Sequence, residues 1–154
     1  MDLITINIAG KESISLVCSQ CGCAREINVS NLPDIGKVYK VKCKCIHPFS
    51  VAFDKRKDKR KRTKLIGTYF FEHSMTDSII DVVDLSRGGI AFIRTDNNTL
   101  KIGDRLIIRF NLDNLEQDTI ECVITIRNIL GNRVCGQFLD MRGGMNRMLG
   151  FYML

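Results

Sequence analysis

From Leu65 onward the chain is a succession of short β-type runs separated by turn signals, and few folds accommodate that pattern. The runs fall at 66–71 (IGTYFF), 78–84 (SIIDVVD), 89–94 (GIAFIR), 104–112 (DRLIIRFNL), 118–129 (DTIECVITIRNI) and 133–139 (RVCGQFL). They are rich in Ile, Val, Thr and Phe, and several alternate apolar with polar residues, as a half-buried strand requires. The joints SRGG, TDNNTLKIGD, DNLEQ and LGNR supply Gly, Asn or Asp where a hairpin needs positive φ or an Asx turn. Six such strands predict a small antiparallel barrel or sandwich. The period changes in 141–154, where Met145, Met148, Leu149 and Tyr152 share one helical face, expected to pack over the barrel as core.

A chain of 154 residues holds one ordinary domain, or one of about 100 residues with an appendage. At 45% hydrophobic and 26% charged with only two prolines, it is neither disordered nor fibrous. Asp2 stands where a signal peptide carries basic residues, and no apolar stretch reaches the ~18 residues of a membrane span, so a cytoplasmic protein without a membrane anchor is expected.

The seven cysteines are an odd number, and five lie between Cys18 and Cys45. That clustering suits reduced thiols or metal thiolates better than a secreted disulfide framework. VCSQCGC places Cys18 and Cys21 as C-x-x-C with Cys23 beyond, and VKCKC places Cys43 and Cys45 about twenty residues later. The pair is similar to a zinc ribbon, in which two knuckles bring four ligands to one Zn²⁺. Cys18, Cys21, Cys43 and Cys45 are the expected ligands of a structural zinc. The second knuckle is one residue short, which leaves Cys23 and His47 as alternatives to Cys45 for the fourth position. Metal-free thiols in a ribbon-like hairpin are the competing reading. Cys122 and Cys135 lie in apolar strands and read as small buried hydrophobes.

The net charge of +6 resides entirely in residues 54–64, where eight Lys and Arg face only Asp54 and Asp58; the rest of the chain has fifteen residues of each sign. A neutral protein with one basic segment points to a local anion site or a solvated linker. Within that run Arg56 and Arg60 form R-x-x-x-R. The stretch VVDLSRGGIAF follows, with Asp84, Ser86 and Gly89 spaced as D-x-S-x-x-G at a strand-turn-strand junction. Alone, the second motif describes a hairpin whose Asp and Ser bond local backbone.

The two motifs in this order, with a strand between them, resemble the PilZ domain. The resemblance covers about Lys55 to Asp140, together with the six-strand pattern and the terminal helix; the cysteine segment looks like an N-terminal extension found in some bacterial members. It implies a mainly β protein: a six-stranded antiparallel PilZ-type barrel with a C-terminal helix at 65–154, a basic linker at 54–64, and a small β-rich zinc-ribbon-like subdomain at 1–53. It further implies a receptor, not an enzyme, for the bacterial second messenger cyclic di-GMP or a related cyclic dinucleotide. Arg56 and Arg60 match the first motif and Asp84, Ser86 and Gly89 the second, with Lys55 at a position where a basic residue is compatible with a stacked ligand dimer.

The chemistry suits these residues. A guanidinium forks onto phosphate oxygens, pairs with guanine O6 and N7 and stacks on a purine face; a carboxylate accepts from the guanine N–H edge. Ligand closure on the linker is expected to change the arrangement of the two domains and so signal to a protein partner. Two alternatives remain: a nucleic-acid module built from the ribbon and the basic arm, and a ligand-free PilZ-like interaction module. The first leaves Asp84, Ser86 and Gly89 unexplained, and a chain with 7% aromatics and no Trp offers no stacking set. Neither His47 nor His73 belongs to a catalytic pattern, and the C-x-x-C lacks the βαβ setting of a redox site.

Overall fold

The computed structural model describes residues 3–74, 76–141 and 144–154. It divides into two compact units, residues 1–57 and 58–154. The first contains β1 (Leu3–Asn7), β2 (Ser13–Val17), β3 (Ala24–Asn28), β4 (Val38–Lys42) and β5 (Pro48–Asp54). In it, β5 lies between β1 and β4, parallel to β1 and antiparallel to β4, while β2 and β3 form a separate hairpin. Ile8, Ile14, Leu16, Val29, Phe49, Val51 and Phe53 make a small core there.

The second unit contains β6 (Lys61–Phe70), β7 (Ser78–Leu85), β8 (Gly89–Arg94), β9 (Arg105–Asn111), β10 (Thr119–Leu130), β11 (Arg133–Met141) and α1 (Met145–Tyr152). The six strands close into an antiparallel barrel in the order β10-β11-β8-β7-β6-β9. Closure leaves no unpaired edge, and alternation sends one set of side chains inward, including Tyr69, Ile80, Val82, Phe92, Leu106, Ile108, Phe110, Ile120, Ile124, Ile126 and Val134. Cys122 is buried among them, as expected of a small hydrophobe.

Two features differ from the sequence pattern. The first barrel strand starts at Lys61, five residues earlier than the apolar pattern puts it. Thr63 and Leu65 are buried while Arg62 and Lys64 point outward, so the end of the basic run is itself an alternating strand whose period the charges disguise. The second concerns the helix, in which Leu149 is fully buried and Met145 and Tyr152 pack on the core, but Met148 is 37% exposed and Met153 is buried in its stead. The apolar stripe is thus turned toward the C-terminal end. Arg142 and Gly143, within the segment read as bearing the helix, lie outside the described residues.

Lys61 fastens the helix to the barrel. Its Nζ donates to the Tyr152 carbonyl at 2.9 Å and sits 3.8 Å from the Tyr152 ring centroid, so one lysine of the basic run serves the fold. Tyr152 in turn donates its hydroxyl to Asp113. No helix among the described residues is long and apolar enough to cross a membrane.

Gly67 marks where the barrel is tightest. A Cβ there meets the Arg109 carbonyl at 2.7 Å and the Phe110 Cβ at 2.9 Å, neither of which can move without shifting β9. Gly67→Ala is therefore expected to lower stability by about 1–3 kcal/mol. Urea unfolding checks this: the midpoint falls with an unchanged m-value, and an unaltered midpoint contradicts the packing described.

Candidate functional site

The β7–β8 hairpin carries the second motif. Ser86 closes its turn: the Ser86 N–H donates to the Gly89 carbonyl at 2.9 Å, and the Gly89 N–H donates to Ser86 Oγ at 3.0 Å. This is the local bonding expected of a Ser in a tight turn. Just before it, the β7–β8 pairing shifts between Val82 and Asp84, and the β6–β7 pairing shifts between Arg62 and Leu65. The buried Thr63 hydroxyl donates to the Val82 carbonyl at 2.8 Å in this irregular stretch. Bulges re-aim side chains, and two of them converge beside Asp84.

Asp84 has a side chain only 16% exposed. Its Oδ2 lies 3.5 Å from Nη2 of Arg133, a long ion pair, while its Oδ1 is buried with no hydrogen-bond partner among the described residues. A buried carboxylate oxygen left without a partner is costly and uncommon. Arg62 stands opposite Asp84 in the β6–β7 register and is exposed. Arg133 is placed by the two-residue turn after β10, where Gly131 adopts φ +58°, and by the neighbouring order β11-β8-β7.

The two adjacent turn glycines divide their tasks. A Cβ on Gly89 meets the Gly136 carbonyl at 2.5 Å, so the missing side chain there allows β8 and β11 to pair closely. A Cβ on Gly88 meets Asp58 Oδ2 at 2.9 Å, which brings the segment leading to Arg60 against the turn. Asp84, Ser86, Gly89 and the Asp58–Arg60 stretch are thus gathered on the barrel unit.

Lys55 and Arg56 belong to the N-terminal unit. The Arg56 N–H donates to Asp54 Oδ1 at 2.9 Å, and its carbonyl accepts from Asn7 Nδ2 at 3.0 Å. Lys55, Arg56 and Arg60 are all exposed. Arg133 and Gly88 were missed by the sequence reading. Only strand order and register bring Arg133 to Asp84, and the D-x-S-x-x-G spacing passes over Gly88.

A second constellation lies in the N-terminal unit. The sulfurs of Cys18, Cys21, Cys43 and Cys45 all lie within 4.8 Å of one another. Cys18 to Cys45 is 3.8 Å and Cys21 to Cys43 is 3.4 Å. Cys23 and His47 are not in this group; His47 instead accepts the Cys43 N–H through its carbonyl. The backbone N–H groups of Cys21 and Gln20 draw the Cys18 thiol down to about 6. The Cys23 N–H favours a thiolate at Cys21, but the Cys43 and Cys45 sulfurs outweigh it and raise that thiol. Four sulfurs this close cannot all ionise without a cation among them. Burial pushes the Cys122 thiol up to about 12, consistent with an inert core residue.

A family model for the PilZ domain matches residues 54–154. Comparison with curated proteins finds no match. Among solved structures, the inhibitor of motility MotI/DgrA of Bacillus subtilis is similar, with 16% identity and a TM-score of 0.57 over 75% of this chain and 61% of that one. The PilZ domain of Escherichia coli YcgR, solved with c-di-GMP, shares 17% identity with a TM-score of 0.52, over 65% of this chain and 89% of that one. The PilZ domain of CeSA from a cellulose-synthesizing bacterium shares 15% identity with a TM-score of 0.51, covering 62% of this chain and 94% of that one. This chain spans less than two thirds of the Bacillus protein's length. The closed six-stranded barrel with its C-terminal helix is what the motifs implied, and with the family match over residues 54–154 the chain belongs to the PilZ domain family.

Proposed function

We propose that this protein is a receptor for cyclic di-GMP in the bacterial cytoplasm, without enzymatic activity, and that Asp84 is the centre of its site. The observation that carries this reading is the buried Oδ1 of Asp84, which has no hydrogen-bond partner among the described residues, with Arg133 3.5 Å from the same carboxylate and Arg62 opposite it in the β6–β7 register. A guanine offers adjacent N1–H and N2–H donors that satisfy such an oxygen, and the same molecule brings phosphates for arginine. The solved complex of the E. coli YcgR PilZ domain with c-di-GMP supports the choice of ligand.

In this reading Arg56 and Arg60 fork onto the phosphates or the guanine O6/N7 edge, and Lys55 adds positive potential. Ser86 holds the turn and offers a hydroxyl lone pair, while Gly89 keeps the hairpin in register. The segment 55–60, with five cationic side chains and one Asp, gains order when a dianion neutralises part of that charge. Ligand binding thereby alters the arrangement of the two units, and a protein partner reads that change.

Titration calorimetry with cyclic di-GMP tests the reading. The expected result is saturable heat and a raised melting temperature; no heat and no thermal shift at high micromolar ligand would sink it. Arg56→Ala, Arg60→Ala and Asp84→Asn are each expected to weaken binding about 30-fold or more, the loss that follows from leaving a buried charged group unpaired, with unfolding midpoints near that of the parent. If Arg62→Ala alone abolishes binding, the arginine register is wrong. Gly89→Ala is a poor probe, because it strains the β8–β11 pairing directly.

Limited proteolysis addresses the switch. Trypsin is expected to cleave within 55–60 in the free protein and more slowly when cyclic di-GMP is present. Equal cleavage rates contradict ordering of the segment.

A further inference from the structure

We propose that Cys18, Cys21, Cys43 and Cys45 bind one Zn²⁺ through four thiolates, and that this ion joins the two sheets of the N-terminal unit. The inference stands apart from the ligand reading of the barrel. A tetrahedral site with Zn–S bonds of about 2.3 Å has sulfur–sulfur edges of about 3.8 Å. The observed edges of 3.8 and 3.4 Å, with every pair inside 4.8 Å, already outline that tetrahedron.

The backbone explains why these four cysteines and not their neighbours converge. Each pair sits at a hairpin tip, Cys18 and Cys21 between β2 and β3, Cys43 and Cys45 between β4 and β5. In the first tip, the Cys18 N–H donates to the Cys23 carbonyl and the Gly22 N–H to the Cys18 carbonyl, both at 2.9 Å, which folds Cys21 back over Cys18. In the second, the shorter C-x-C spacing is accommodated by a tighter turn: the Ile46 N–H donates to the Cys43 carbonyl at 2.9 Å, and Ile46 takes φ +69°. A β-branched residue disfavours that conformation, and Ile46 is 81% exposed, so no packing of its own side chain holds it there. Coordination of Cys43 and Cys45, just before it, supplies a reason for the strained turn.

The architecture also calls for a clasp. The β2–β3 hairpin and the β1-β5-β4 sheet share no strand pairing, and seven buried side chains form the core between them. Units of this size usually need a metal or disulfides to supplement such a core. A tetrathiolate ion at the hairpin tips fastens one sheet to the other at the end where the strands turn.

Elemental analysis of the full-length protein, purified reduced and without chelator, tests the proposal. One zinc per chain is expected. Replacement by Co²⁺ is expected to give the intense visible bands and sulfur-to-metal charge transfer of a tetrahedral thiolate site. Cys43→Ser and Cys45→Ser are expected to lose the metal and to become protease-sensitive within residues 1–57, whereas Cys23→Ser keeps a full equivalent. Should the Ser variants fail to fold, metal release from the parent by a thiol-specific mercurial provides the second measurement, with four thiols modified per zinc freed. Protein free of metal with all four thiols reactive, two disulfides by intact mass, iron in place of zinc, or loss of metal on Cys23→Ser each overturns the assignment.

Discussion

Closure of the six-stranded barrel is the constraint on which the rest of the molecule depends. Because β9 pairs with both β10 and β6, every strand has two neighbours, and the register of each is fixed by the next around the ring. A shift of one residue anywhere would turn a row of Ile, Val and Phe side chains out to water. On this closed frame the β7–β8 hairpin holds a buried carboxylate with one oxygen unpartnered among the described residues. In a looser sheet, a local side chain or water-exposed rotamer would relieve it.

On the proposed reading, the residues around Asp84 divide between holding the fold and meeting a ligand. Ser86 and Gly89 are committed to the turn and to strand pairing, Lys61 to the helix, and Thr63 to the bulge. Asp84, Arg60 and Arg62 remain available, with Arg133 holding Asp84 only through a 3.5 Å contact. The basic run is therefore heterogeneous: its last residues build a strand, and its first ones are exposed. Charge count alone treats these as one object.

Much of this was legible in the sequence. All six barrel strands follow from alternation and turn chemistry, because a half-buried strand imposes period two on its residues. The start of β6 was hidden because Lys61, Arg62 and Lys64 occupy its outer face. The four clustered cysteines were legible from knuckle spacing, though deciding among Cys45, Cys23 and His47 required knowing which side of a hairpin tip each side chain takes. Arg133 was illegible, since it meets Asp84 from 49 positions away through a strand order that no local pattern encodes. Met148 was misplaced because one short helix can rotate its apolar stripe by a position without losing its periodicity.

The central claim is that the unpartnered oxygen of Asp84 is completed by a guanine edge. The most direct measurement is a crystal structure of the full chain with cyclic di-GMP. The expected result is a guanine N1–H and N2–H on Asp84, with Arg56 and Arg60 on phosphate or on the O6/N7 edge. A bound dinucleotide elsewhere on the barrel, with Asp84 Oδ1 still unpaired, would contradict it.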